Sequence, residues 1–174
     1  MSRYIKGIWP VVLLALFAAS CKKDKTPDTN TWQVTPDAGK GTEVYKLKTS
    51  VLRINIKYVL EVQSEENASG GNNGVSSTLV LSFLTVGPPP TGTYKVTAYE
   101  KLTSADQVAV YVMTSKSPSN TSLHTSWFSQ EGGNQTISYQ FENGKASATF
   151  NDIVIKQAGS PGPTTGKISA KISQ

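Results

Sequence analysis

Apolar and polar residues alternate along most of the chain, which is the pattern of strands with one buried face and one exposed face. The clearest segment is 51–63, where the even-numbered positions from 52 to 62 are all apolar and the odd ones are mostly polar. This alternation predicts one long strand over 51–63. Segment 78–86 has apolar residues on both faces, which predicts a strand that is buried on both sides.

Weaker alternation predicts further strands at 42–48, 93–101, 107–115, 123–129, 135–142, 145–150, 153–156 and 166–173. Asn143-Gly144 lies between two of them and predicts a tight hairpin turn, while Asn151-Asp152 predicts a bulge or a kink. No segment has a helical period. The expected fold class is all-β, as a single antiparallel β-sandwich of about 8–10 strands, with a calycin-like β-barrel as the alternative.

The first 20 residues differ in kind from the rest of the chain. Arg3 and Lys6 precede a mostly apolar run at 8–19. This run is shorter than the roughly 20 residues of a membrane-spanning helix and fits the apolar part of a secretion signal. The small residues at 18–20 then lead directly to Cys21. The order predicts a lipoprotein signal peptide that is cleaved before Cys21, with fatty acyl chains such as palmitate attached to the new N-terminal cysteine.

This reading divides the chain into three parts. Residues 1–20 are the signal peptide, and residues 21–30 are a flexible tether that carries the lipidated Cys21. Residues 31–174 form the β-sandwich domain. No other apolar stretch is long enough to span a membrane as a helix.

Composition narrows the classes of function. The formal net charge is +5, but Arg3 and Lys6 lie in the predicted signal, and no basic stripe is interleaved with aromatic residues. The pattern of a nucleic-acid-binding surface is therefore lacking, and no nucleic-acid partner is expected. Cys21 is the only cysteine. If it is lipidated, disulfides, thiolate metal sites and cysteine nucleophiles are excluded.

Residues suited to catalysis or metal binding are scattered. His124 is the only histidine. A metal site or a catalytic triad would therefore need carboxylates to supply the other ligands or catalytic groups. Oxygen ligands for calcium occur in the Gly/Asn-rich segment 64–76, but they lack the Asp-x-Asp-x-Asp-Gly spacing of a calcium loop. Four further carboxylates lie next to predicted turns, at Asp106, Glu131, Glu142 and Asp152. We expect no enzyme activity, no cofactor and no metal.

Aromatic side chains are the remaining candidates for ligand contact. Tyr99 shares a predicted strand face with polar residues, and Tyr111 lies on the next predicted strand. Trp127 and Phe128 are consecutive, so in a strand they point to opposite faces and one of them is exposed. Tyr99, Tyr111 and Trp127 are the predicted stacking residues for a ligand such as a sugar.

Several short motifs carry a resemblance to a known family. They are Ser20-Cys21-Lys22-Lys23-Asp24, Trp32, LSF at 81–83, TGTYKVTA at 91–98 and NGKASATFNDI at 143–153. In these features the chain resembles a family of small, uncharacterised β-sandwich lipoproteins of Gram-negative bacteria. The resemblance implies a fold and an anchor, and it assigns no catalytic residue.

The expected function is that of a membrane-anchored lipoprotein of the cell envelope, at the outer membrane, with a non-enzymatic binding or structural domain. The alternatives are a small-ligand carrier with a calycin-like barrel and a carbohydrate-binding module. The expected partners are the membrane, through the lipid anchor, and a glycan or an envelope protein.

Overall fold

The computed structural model describes residues 27–37, 41–54, 57–64, 75–115, 124–132, 134–159 and 164–174. The predicted signal peptide, Cys21 and the Gly/Asn-rich segment 65–74 lie outside the described residues. The described strands are β1 (Thr31–Pro36), β2 (Glu43–Ile54), β3 (Tyr58–Ser64), β4 (Ser76–Phe83), β5 (Gly92–Thr97), β6 (Gln107–Ser115), β7 (His124–Ser129), β8 (Thr136–Glu142), β9 (Lys145–Gln157) and β10 (Thr165–Ser173). One 3-10 turn, Tyr99–Lys101, is the only helical element in this part of the chain.

The all-β class is confirmed. The ten described strands form one sheet in the order β10-β1-β2-β3-β4-β6-β5-β8-β9-β7, with additional pairings of β10 with β9 and of β6 with β7. Because these pairings close the order on itself, one continuous sheet surrounds one core, as the barrel alternative requires. The sheet is mixed rather than wholly antiparallel, because β5 and β6 run parallel.

The predicted long strand over 51–63 was wrong, because this stretch contains a hairpin. Ile54, the last residue of β2, pairs with Tyr58, the first residue of β3, and the two strands are antiparallel. The predicted strand over 93–101 is also shorter than expected, since β5 ends at Thr97 and the 3-10 turn follows. The chain then crosses to β6 beside β5, which is the connection that makes this pair parallel.

Two local signals in the sequence are confirmed. Asn143 and Gly144 have φ values of 52° and 77°, the positive values that a type I′ hairpin turn requires, and they join β8 to β9. Asp152 has a φ of 51°, and the register of β9 against β10 shifts at this point. The backbone N–H of Asp152 donates to Oγ of Ser169. Asn151-Asp152 is therefore a bulge within a continuous β9.

The core is one cluster of apolar side chains that point inward from every strand. The largest fully buried members are Trp32, Tyr58, Tyr139, Phe83, Leu60, Leu79, Leu81, Ile137, Ile153, Ile155, Ile168 and Ile172. Phe83 contacts Tyr94 and Tyr139 with ring centroids 5.0 and 4.9 Å apart. Burial of such side chains, at about 25 cal/mol per Å² of apolar surface, is the main source of stability for a domain without disulfides.

A buried serine joins the strands where β6 changes its neighbour. The first residues of β6 pair with β5, and its later residues pair with β7. Ser129, at the end of β7, accepts a hydrogen bond from the backbone N–H of Val110 and donates one to the carbonyl of Thr97. Its side chain thus satisfies polar groups on β5 and β6 that lie at the junction.

The described chain begins with a short segment that is attached to two strands. The carbonyl of Asn30 accepts from the N–H of Leu47 in β2, and its side-chain oxygen accepts from the N–H of Ser173 in β10. Pro27 is buried, and Thr31 donates back to the carbonyl of Asp28. Residues 27–30, the last part of the predicted tether, therefore make specific contacts with the domain.

Candidate functional site

An aromatic pair lies on the outer face of the sheet, where β6 pairs with β7. Tyr111 and Phe128 are register partners, and their ring centroids are 4.9 Å apart with an angle of 43° between the planes. Both rings are half-buried. The Tyr111 hydroxyl and Ser126 Oγ are 3.1 Å apart and share a hydrogen bond. The pair therefore offers an apolar surface with hydrogen-bonding groups at its edge.

The neighbours of this pair extend the surface along one row of the sheet. Val80 in β4 pairs with Tyr111, and Lys156 in β9 pairs with Phe128. Met113 is two residues further along β6 and is also half-buried. We call Val80, Tyr111, Met113 and Phe128 the outer aromatic face. Apolar rings next to hydroxyl and ammonium groups suit a ligand that has both an apolar and a polar side.

Trp127 corrects the prediction made from sequence. It pairs with Val112, which points into the core, and only 4% of its surface is exposed. Trp127 therefore lies inside the sheet and cannot stack on a ligand bound to the outer face. Phe128 is the member of the consecutive pair that faces outward. The sequence predicted that the two would face opposite ways, but only the register with β6 decides which of them faces out.

Tyr99 stands apart from the outer aromatic face. It lies in the 3-10 turn after β5 and is 49% exposed. The Lys57 ammonium is 3.9 Å from the centroid of its ring, a cation–π contact. Within the described residues no ring contact joins Tyr99 to Tyr111. Of the three predicted stacking residues, the structure places Tyr111 on the candidate site and Tyr99 on a separate surface.

A cluster of hydrogen-bonded side chains that was not predicted from the sequence lies inside the sheet near the start of β2. Tyr45 donates a hydrogen bond of 2.5 Å to the Glu43 carboxylate, and its ring stacks on Trp32 with centroids 5.8 Å apart. Trp32 Nε1 in turn donates to Ser77 Oγ. Burial raises the pKa of Tyr45, and the Glu43 carboxylate raises it further. The spacing of Glu43 and Tyr45 on one strand face was the available signal in the sequence.

Groups able to perform acid–base or metal chemistry do not converge in the described part of the chain. His124 begins β7, and its Nε2 is buried without a hydrogen-bond partner. Glu131 forms an exposed ion pair with Lys101, and Asp106 accepts from Ser104. Among the described residues no group of three or more His, Cys, Asp or Glu side chains could hold a metal ion. The candidate calcium ligands at 65–67 and 72–73 lie outside this part.

Three pockets on the described surface have volumes of about 360, 290 and 250 Å³. Polar side chains form most of the lining of each one; the largest is bordered by Gln140, Glu142 and Lys145. A carrier of small apolar ligands needs an apolar cavity instead. These pockets therefore do not favour the carrier.

Comparisons of the chain with protein-family models, curated proteins and solved structures found no match. The resemblance to small Gram-negative lipoproteins thus stays a prediction. In the described residues, no helix has the length and apolar character needed to cross a membrane.

Proposed function

We propose that the protein is a lipid-anchored, non-enzymatic binding protein of the cell envelope, held at the outer membrane through Cys21, with the outer aromatic face as its ligand-contacting surface. The anchor is supported by the order of basic residues, apolar run, small residues and single cysteine at the N-terminus. The observation that carries the binding role is the Tyr111–Phe128 pair, two aromatic rings on the outside of the sheet.

The anchor is tested by changing its acceptor. Two or three acyl chains on one residue give stable membrane attachment, since each buried CH₂ contributes about 0.8 kcal/mol. In cells, Cys21→Ala should remove the acyl chains, and the mass of the purified chain should show this loss directly. Wild-type protein should carry the lipid mass and sediment with the outer membrane. A wild-type chain without added lipid would refute the anchor.

The ligand class that best fits the outer aromatic face is a glycan. Sugar rings have an apolar face that packs on aromatic rings and hydroxyls that bond to groups such as Ser126 and Lys156. Envelope proteins are the other expected partners, but no observation on this surface favours them. The glycan polymer of the bacterial envelope, peptidoglycan, is therefore the probe that we would use.

The test is co-sedimentation of the full chain with insoluble peptidoglycan sacculi. Phe128→Ala should weaken binding about 10-fold, which corresponds to the roughly 1.4 kcal/mol expected for one lost aromatic contact. Tyr99→Ala, which removes an exposed ring on another surface, should bind like the wild type. Phe128→Tyr should retain binding, and urea unfolding would show whether Phe128→Ala is folded. Failure of the wild type to sediment with sacculi would refute the glycan assignment.

A further inference from the structure

The outward face of β1, β2 and β10 carries exposed lysines and no acidic side chain. Outward positions on β1, on β2 up to its bulge at 47–49 and on β10 hold Thr31, Gln33, Thr35, Val44, Lys46, Lys48, Thr165, Lys167, Ser169, Lys171 and Ser173. Lys46 and Lys171 are the register partners of Thr31 on its two sides, so all three side chains share one face. Strands lie about 4.8 Å apart, which places the two lysine Cα atoms about 10 Å from each other.

The charge on this face is uneven from one end to the other. Lys167, at the far end, lies with Asp152 along one surface pocket. Lys46, Lys48 and Lys171, at the end near Thr31, are exposed and form no ion pair with any described residue. We call these three residues the basic face. Glu43, three residues before Lys46, points to the other side of β2 and accepts a hydrogen bond from Tyr45, and Asp28 lies in the turn before β1.

The basic face is also where the chain enters the domain. Asn30 is bound to both β2 and β10, and Thr31 directly follows it between Lys46 and Lys171. Pro27 is six positions after Cys21, a separation that spans about 20 Å at most when the chain is fully extended. Three of the residues between them are lysines and one is an aspartate. A lipid on Cys21 would therefore hold this end of the domain close to the bilayer.

We infer that the basic face docks the domain on anionic lipid headgroups, so that the anchored protein lies on the membrane with a fixed orientation. The inference rests on the proposed lipid anchor at Cys21. Lysines attract an anionic surface only within about one Debye length, roughly 10 Å at 0.1 M salt, and the short tether keeps the basic face within this range. Lys95 on β5 lies four strands away from β1 by way of β10, β9 and β8, so it faces away from the membrane in this orientation.

The test measures lysine accessibility in the full lipidated chain reconstituted into vesicles. A water-soluble acetylating reagent is applied briefly, and mass spectrometry reports the modification of each lysine. In phosphatidylglycerol-containing vesicles, Lys46, Lys48 and Lys171 should react about 3-fold or more slowly than in pure phosphatidylcholine vesicles, and salt of about 1 M should remove the difference. Lys95 should react equally in both.

Matched variants separate the basic face from charge in general. Lys171→Glu should weaken the protection of Lys46 and Lys48, while Lys95→Glu, which changes the net charge by the same amount, should leave it intact. Equal rates for the basic face in both vesicle types, or protection of Lys95 as well, would overturn the docking. The intact mass is an independent readout of the anchor. A lipidated chain with an unprotected basic face refutes the docking alone, whereas a chain without lipid refutes both proposals.

Discussion

At the scale of single residues, the effect of replacing Gly144 depends separately on its backbone conformation and on the space available for a side chain. Its φ of 77° lies in the left-handed region, yet a Cβ built there meets nothing within 4 Å. A Cβ at Gly87 would also meet nothing within 4 Å, and its φ is outside the left-handed region. The two glycines differ in backbone conformation and not in the space around them.

Alanine at these two positions should therefore have different effects. We expect Gly144→Ala to lower the free energy of unfolding by about 1 kcal/mol, because a residue with a Cβ resists positive φ. Gly87→Ala should be neutral or stabilise by about 0.5 kcal/mol, since it reduces the freedom of the unfolded chain. Urea denaturation of both variants measures the difference. Equal midpoints would show that the 143–144 turn does not require its glycine.

The composition of the candidate site also depends on which of the two consecutive aromatic residues, Trp127 or Phe128, faces outward. Strand periodicity places Trp127 and Phe128 on opposite faces, but it cannot say which face is the core. That is decided by the pairing of β7 with β6, which sets Trp127 opposite the buried Val112 and Phe128 opposite Tyr111. The two strands are connected through residues 116–123, so the spacing along the chain does not specify the register between them, and the prediction of Trp127 as the stacking residue was wrong.

At the scale of elements, the turns that have a signature in the sequence were predicted correctly, and one turn without a signature was missed. Asn143-Gly144 and the Asn151-Asp152 bulge have sequence signatures, and both are present. The chain reverses between Ile54 and Tyr58, and these residues are an even number of positions apart. Alternation therefore continues unbroken through the reversal, with no glycine or proline to mark it. The parallel pairing of β5 with β6 has no signature at all, because it depends on where a crossing chain packs.

Ser129 holds the junction of three elements, so its loss should be costly. Ser129→Ala would leave the Val110 N–H and the Thr97 carbonyl without their partner in a site that is 1% exposed. We expect a loss of about 1–3 kcal/mol in the free energy of unfolding, the usual cost of an unsatisfied buried polar group. Ser138→Ala, at an exposed position on β8, should change stability by less than about 0.5 kcal/mol. A Ser129→Ala variant as stable as Ser138→Ala would mean that β5 and β6 do not need this link.

At the scale of the whole molecule, the core contains four tyrosines, each with no more than 5% of its surface exposed: Tyr45, Tyr58, Tyr94 and Tyr139. Burial raises the pKa of every one of them. For Tyr139 the nearby Tyr58 phenol raises the pKa further. The Tyr139 hydroxyl is buried without a hydrogen-bond partner, so removing it in Tyr139→Phe leaves no other polar group unpaired. The fold therefore depends on phenols that remain protonated.

This dependence predicts a loss of stability in alkali. Below pH 10 or so the phenols are protonated in both states, and their contribution is constant. Above about pH 10 the unfolded chain releases phenol protons that the folded chain retains, so the free energy of unfolding falls as pH rises. Each phenol that stays protonated in the fold steepens this fall by about 1.4 kcal/mol per pH unit. Urea denaturation between about pH 8 and pH 11 should show a shallower fall for Tyr139→Phe than for the wild type. Equal slopes for Tyr139→Phe and the wild type would mean that the phenol of Tyr139 ionises in the folded state, and the core would then be open to water at this residue.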